Sequence, residues 1–293
     1  MNIQWYPGHM TKTRRMMEEN IKLIDLVIEI VDARIPISSR NPDIDSLAVN
    51  KARIILLNKS DLADDKITNQ WINYFNENNI YCLKLNSRNN SGIKQVNGLI
   101  MTACADKIER NKQRGILNRP IRAMVVGIPN VGKSTFINSY AGKASAKTGN
   151  KPGVTKGKQW IKLNKNVELL DTPGILWPKF DNQEVGKRLA MIGSMNDEIL
   201  NVEELAIDTI KYIYSEYSDN VIERYGLDKE KTAASYDENA INPDNSVALY
   251  IMEQAAVKRG CIKKGNNIDY EKISNIILDD FGTFIHKFFI ILS

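Results

Sequence analysis

The sequence predicts an α/β fold in two parts. A P-loop domain, built as a mixed sheet flanked by helices, is expected over about residues 1–178, and a smaller all-α domain over 179–293. Three observations carry this expectation. Gly127-Ile128-Pro129-Asn130-Val131-Gly132-Lys133-Ser134 reads G-x-x-x-x-G-K-S, between the apolar run Ile121–Val126 and a helical pattern opening at Thr135. Three earlier apolar runs, Leu26–Val31, Arg53–Leu57 and Ile80–Leu85, each end in a polar loop, as buried strands do. From Asp197 onward the composition turns acidic, and Leu205, Ile210, Ile213 and Tyr214 recur at helical spacing.

In chain order, Pro7-Gly8 marks a turn carrying His9, and a helical pattern runs from Met10 to about Ile24 with Lys12, Arg14 and Arg15 in its first half. The first strand ends at Asp32-Ala33-Arg34-Ile35-Pro36. Asp32 there reads as a turn cap or as a residue of a phosphate- or RNA-contacting loop. The second strand delivers Asn58-Lys59-Ser60-Asp61. A carboxylate such as Asp61 accepts from both guanine N1–H and the 2-amino group, which adenine lacks; Asn58 suits the purine edge and the Lys59 stem the ring face. A helix is expected over 65–79 with Ile67, Trp71 and Phe75 inward. The third strand leads to Asn86-Ser87, a loop suited to offering backbone N–H groups to a base carbonyl oxygen. One long helix is expected from Gly92 to Asn111, running into a basic linker.

In the glycine loop, backbone N–H groups from Asn130 through Thr135 turn toward one anionic group. Lys133 adds a cation and the Ser134 hydroxyl a ligand for Mg²⁺. A lysine-rich stretch, 143–165, follows and contains Thr155, which suits completion of the Mg²⁺ shell. Two strands, Gln159–Leu163 and Val167–Leu170, lead to Asp171-Thr172-Pro173-Gly174. Asp171 suits Mg²⁺ through water, and the Gly174 N–H suits a γ-phosphate, as in loops that order around that group.

Two further helices are expected over Ser246–Val257 and Asp269–Leu278. Between them, Lys258, Arg259, Lys263 and Lys264, with Gly260 and Gly265, read either as a solvated loop or as an RNA-backbone contact. The three cysteines are distant and odd in number, which favours reduced thiols in a cytoplasmic protein over a disulfide frame. Two histidines are too few for a zinc site with them. No early apolar run is long enough for an export signal or a membrane span. Net charge is +5 and hydrophobic content 43%, enough for a sizeable core.

The set Asn58–Asp61, Asn86–Ser87, Gly127–Ser134, Thr155 and Asp171–Gly174 resembles the translation-factor-like GTPases, with the order broken: the base-reading motifs precede the phosphate loop. That is the pattern of the circularly permuted GTPases. The Met1–Met10 stretch, the Asp32–Pro36 turn and the region from Arg259 to Asp269 are similar to the RbgA (YlqF) family of ribosome-assembly GTPases. The resemblance implies GTP and GDP as ligands with Mg²⁺, and a late step of large-subunit assembly. It also implies a partner particle of 23S-type rRNA and ribosomal proteins, bound through the helical domain by a monomer without membrane attachment. Ile175 stands where many GTPases place a water-orienting Gln after the glycine, which implies slow intrinsic turnover. Lys133 and Thr155 are then catalytic candidates, with His9 a third and K⁺ at Asn130 a further aid. A rival from another class is an RNA-binding scaffold using GTP only structurally; a small-molecule kinase is weaker, because of Asp61. The apolar end, 281–293, departs from the polar, basic turn the family implies, and a reading-frame change would produce such a tail.

Overall fold

The computed structural model describes residues 8–117, 119–142, 159–163, 165–172, 182–195 and 201–283. Their helices are α1 (Gly8–Asn20), α2 (Asp43–Leu47), α3 (Asp65–Glu77), α4 (Ile93–Ala103), α5 (Ala105–Gln113), α6 (Lys133–Ala141), α7 (Gln183–Met191), α8 (Val202–Tyr225), α9 (Lys229–Ala233), α10 (Ser246–Arg259) and α11 (Tyr270–Thr283). The strands are β1 (Leu26–Asp32), β2 (Ala52–Asn58), β3 (Tyr81–Lys84), β4 (Ile121–Val126), β5 (Gln159–Lys162) and β6 (Val167–Asp171). The described residues divide into two compact units, 8–185 and 186–283.

In the first unit the six strands form one sheet in the order β3-β2-β1-β4-β6-β5. All neighbours are parallel except β5 and β6, so the sheet is mixed as expected. β1 lies between β2 and β4, and all seven of its residues are buried, which is why it reads as a near-continuous apolar run. Its one mid-strand charge, Glu29, is held by Arg40 and Arg53, each at 3.2 Å, and both of these also reach Asp45. The strand order is that of a permuted domain: the phosphate-loop strand β4 is central, yet the three strands on one side of it, β1, β2 and β3, precede it in the chain.

The expected single helix over 92–111 is two helices, broken at Cys104, whose backbone leaves helical geometry (φ −105°, ψ 12°) and whose side chain is buried. The first helix begins at Gly8, two residues earlier than expected, so His9 lies on its first turn rather than in a turn ahead of it.

The second unit is all-α. α8 packs against α10 and α11, burying Leu205, Ile210, Ile213, Ile251, Ile273, Ile277 and Phe281; full burial of such side chains is worth about 1.5–3 kcal/mol each. Tyr217 interrupts α8 with a non-helical backbone (φ −141°, ψ 45°). α10 runs on to Arg259 and is closed by Gly260 in the left-handed region (φ 65°). Lys258 and Arg259 therefore sit in a last helical turn, not in the loop. The apolar tail beyond 283 lies outside the described residues.

Candidate functional site

The polar loops converge at the carboxyl edge of the sheet, where ligands of open α/β sheets bind. Register brings them together: Asp32 at the end of β1 pairs with Asn58 at the end of β2, and Val125 of β4 pairs with Asp171 at the end of β6. The glycine loop leaves β4 directly over β1. Gly127 has φ 152°, and a Cβ there would come within 2.5 Å of the Ile30 carbonyl oxygen. Gly132 has φ 92°, and a Cβ there would run into the Asn58 amide. Neither position admits a side chain.

Asn58 is buried and joins three loops. Its Nδ2 donates to Val131 O at 2.7 Å, and its Oδ1 accepts from Ser87 N at 3.0 Å and Ser87 Oγ at 2.9 Å. One Nδ2 hydrogen is thus committed to the phosphate loop, and Oδ1 is taken up by Ser87. The Asn86 N–H donates to Ser91 O, and the Asn86 Oδ1 accepts from Arg88 N and Asn89 N. The expected base contact through N–H groups of Asn86 and Ser87 meets the fact that both already donate within the protein. Ser139 Oγ of α6 donates to Ser87 O, locking this loop to the phosphate-loop helix.

Lys59 holds a left-handed backbone (φ 58°), and its Nζ lies 3.0 Å from Asp32 Oδ2. Asp32 is fully buried. Its carboxylate also accepts from Arg34 through Nε (2.8 Å), Nη2 (2.7 Å) and backbone N (3.1 Å). Burial pushes this carboxyl up, but Arg34 and Lys59 outweigh that and hold it well below the usual range. Burial pulls Lys59 down, against the pull of Asp32. Asp32 is thus a turn cap, as one reading had it, and also an ion-pair centre. Asp61 is exposed on the short turn after Lys59.

Lys133 opens α6 and is buried; its Nζ donates to Ile128 O at 2.8 Å, curled back under the loop. Burial pulls its pKa down to about 8, with Asp171 acting to raise it. Burial pushes Asp171 up to about 6, against Lys133. Asp171 Oδ1 is buried with no hydrogen-bond partner among the described residues. A buried oxygen of this kind beside a hydroxyl-bearing helix start suits a hydrated divalent cation. Ser134 and Thr135 lie half-buried on the first turn of α6, and Asn130 stands in the left-handed region (φ 59°).

Residues 122–236 match the family model described as 50S ribosome-binding GTPase. The chain is 46% identical over 290 residues to ribosome biogenesis GTPase A of Priestia megaterium, covering 97% of this chain and 96% of that one. It is also 46% identical to the protein of the same name from Bacillus cereus, over 95% and 89% of the two chains. The chain belongs to the ribosome biogenesis GTPase A family, a family of GTPases. GNP-bound YlqF from T. maritima shares the fold, with a TM-score of 0.64 at 24% identity over 95% of this chain and 96% of that one.

In this member of the ribosome biogenesis GTPase A family, Thr155 and Gly174 fall outside the described residues, as does the 175–177 stretch. His9 is placed only as a position on α1. The four candidate RNA-contacting cations differ in their surroundings. Lys258 Nζ donates to Gly226 O, and Arg259 reaches Asp280 at 3.4 Å, a carboxylate that Arg224 also grips at 2.6 Å. Lys263 pairs with Asp269 at 3.3 Å in a loop closed by an Ile262–Ile268 bridge, and Lys264 is exposed on the same loop. The Asp32–Lys59 pair and the Val131 acceptor were missed from sequence.

Proposed function

We propose that this chain binds GTP at the carboxyl edge of its sheet and hydrolyses it slowly. It acts at a late step of large ribosomal subunit maturation in the cytoplasm, with turnover stimulated by the particle. The observation that carries the reading is the tie at Asn58, which draws the base-reading loop, the Ser87 loop and the phosphate loop into one cleft. Asp61 accepts from the guanine N1–H and 2-amino group, and Lys59 covers the ring. Backbone N–H groups from Asn130 to Thr135 receive the phosphates, and Lys133 exchanges the Ile128 carbonyl for phosphate oxygen. Bound Mg²⁺, held by Ser134 and Thr155 with Asp171 reaching it through water, would supply neutralisation of the phosphate charge. Gly174, outside the described residues, would offer its N–H to the γ-phosphate.

Residues 1–178 act as the nucleotide domain and 179–293 as the ribosome-contacting domain, through Lys258, Arg259, Lys263 and Lys264. The chain leads from Gly174 straight into that helical part, so a shift in the γ-phosphate loop is covalently linked to it. Among the described residues no helix is long and apolar enough to cross a membrane.

The test is multiple-turnover phosphate release with and without large-subunit precursor particles, beside cosedimentation with those particles in GDP and in a non-hydrolysable GTP analogue. The reading expects tighter association with the analogue and faster release with particles. Analogue-dependent association without turnover would favour the RNA-binding scaffold, and competition by ATP a kinase.

A further inference from the structure

We propose that Asp32 is a positioning residue for base recognition: its buried carboxylate anchors the Lys59 ammonium, so that the lysine stem stands as a fixed face for the guanine ring. The proposal rests on the guanine reading given above. Asp32 belongs to no phosphate or base motif, yet three cationic or polar groups of Arg34 and the Lys59 ammonium all converge on its two oxygens. Arg34 is itself only 1% exposed and Asp32 0%, so this centre cannot trade partners with water. A carboxylate that served only to cap its own turn would be satisfied by the Arg34 backbone N–H and guanidinium. The reach of Lys59 across from the next strand needs a separate reason.

The backbone supplies that reason. Ala33 N donates to Asn58 O at 2.9 Å, so the turn after β1 is fixed to the residue just before Lys59. Ser60 N donates to Leu85 O and Leu62 N to Lys59 O, so the peptide on either side of Lys59 is fixed too. The left-handed backbone at Lys59 sets the direction of its Cβ, and Asp32 holds the far end. A lysine stem pinned at both ends has little rotamer freedom left to lose when a ring packs on it. Ligand binding is tighter when that ordering is done beforehand. Arg34 keeps Asp32 ionised and in place.

The experiment is a double-mutant cycle on the full chain. Affinity for a fluorescent GDP is measured for the wild type, Asp32→Asn, Lys59→Met and the double variant, with thermal melting of each as the check on folding. Each single variant is expected to lose about tenfold in affinity, and the double variant to lose no more than the weaker single. For GTP, KM should rise while kcat at saturation stays within about twofold, the mark of a ground-state binding contact. Losses that multiply in the double variant, or wild-type affinity in Asp32→Asn, overturn the proposal. If Asp32→Asn does not fold, Lys59→Met and Lys59→Arg carry the test, since Arg34 still satisfies Asp32 in both. Lys59→Met must then weaken GDP and Lys59→Arg must recover part of the loss. Wild-type affinity in the Met variant, or no recovery in the Arg variant, refutes the anchor. Absence of GDP binding by the wild type would instead remove the guanine reading itself.

Discussion

The Asn58 side-chain amide donates to the Val131 carbonyl oxygen over 2.7 Å, although the residues stand 73 positions apart. In this permuted order the base-reading strand is made long before the phosphate loop, and this bond is where the two halves of the cleft meet. Its other side-chain atom is also engaged, by Ser87. Removing the amide leaves a buried acceptor and buried donors without partners, at a cost of about 1–3 kcal/mol. Asn58→Ala should therefore lower the urea midpoint of the nucleotide-free protein as well as weaken GDP. Asn58→Asp should be worse, since it sets a carboxylate oxygen against Val131 O. Unchanged urea unfolding in both would show that the tie contributes nothing.

Asp171 and Lys133 form an opposed buried pair whose pH behaviour can be worked out. Burial raises the folded Asp171 from 3.8 to about 6, so its contribution to stability is fullest below 3.8 and is lost as pH rises through about 6. Burial lowers the folded Lys133 from 10.5 to about 8, so its contribution is fullest above 10.5 and is lost as pH falls through about 8. Between those values both groups are charged at a cost, each on the order of 3 kcal/mol. Under the proposed function, phosphate beside Lys133 and Mg²⁺ near Asp171 would relieve it.

Asp171→Asn should consequently stabilise the nucleotide-free protein at pH 7 by on the order of 1 kcal/mol, the rest being offset by a lysine left without its partner charge. The gain should vanish at pH 4, and GTP hydrolysis should fall. Urea melts in EDTA at both pH values, with a phosphate-release assay, measure this. Destabilisation at pH 7 would mean that the carboxylate is held by a structural partner.

The strand ends carrying Asn58, Asn86, Gly127 and Asp171 were legible because each combines a buried apolar run with a polar loop, a pattern that local sequence fixes. The Gly260 cap was missed, because the whole Lys258–Gly265 stretch was read as a loop, although a glycine after two basic residues is a helix-stop signal. The break at Cys104 was not legible. Neither proline nor glycine interrupts the helical pattern there, and the chain bends to bury the side chain. Nor was the Asp32–Lys59 pair, because nothing local tells two loops on neighbouring strands to exchange charge.

Among the four cations near the α10–α11 loop, partners separate structural from binding roles. Lys264→Ala should leave the melting temperature unchanged and reduce the salt slope of ribosomal-particle binding by about one. Arg259→Ala withdraws one of two guanidinium groups from the nearly buried Asp280 and should cost about 1 kcal/mol of stability. Particle affinity across a salt series, with thermal melts, checks both. Particle binding insensitive to salt would assign the contact to apolar surface and overturn the RNA reading.

The last prediction concerns how water is activated. Ile175 follows Gly174, where a Gln would orient the attacking water, and an isoleucine side chain neither donates nor accepts. The proposed function therefore expects slow intrinsic turnover, with help from another group. His9 is one candidate: its position is on the first turn of α1, and imidazole is a common proton carrier in catalysis. The other candidate is a K⁺ ion at Asn130, whose left-handed backbone shapes the loop before Gly132. A cation there offsets transition-state charge as an arginine finger does. The two are separable. His9→Ala should abolish particle-stimulated hydrolysis while leaving particle binding and unstimulated turnover intact; stimulation that survives with binding intact rules His9 out. Replacing K⁺ by Na⁺ should slow hydrolysis with and without particles, because the ion acts at the phosphates and not through docking. Equal rates in the two salts would leave Asn130 a loop residue only.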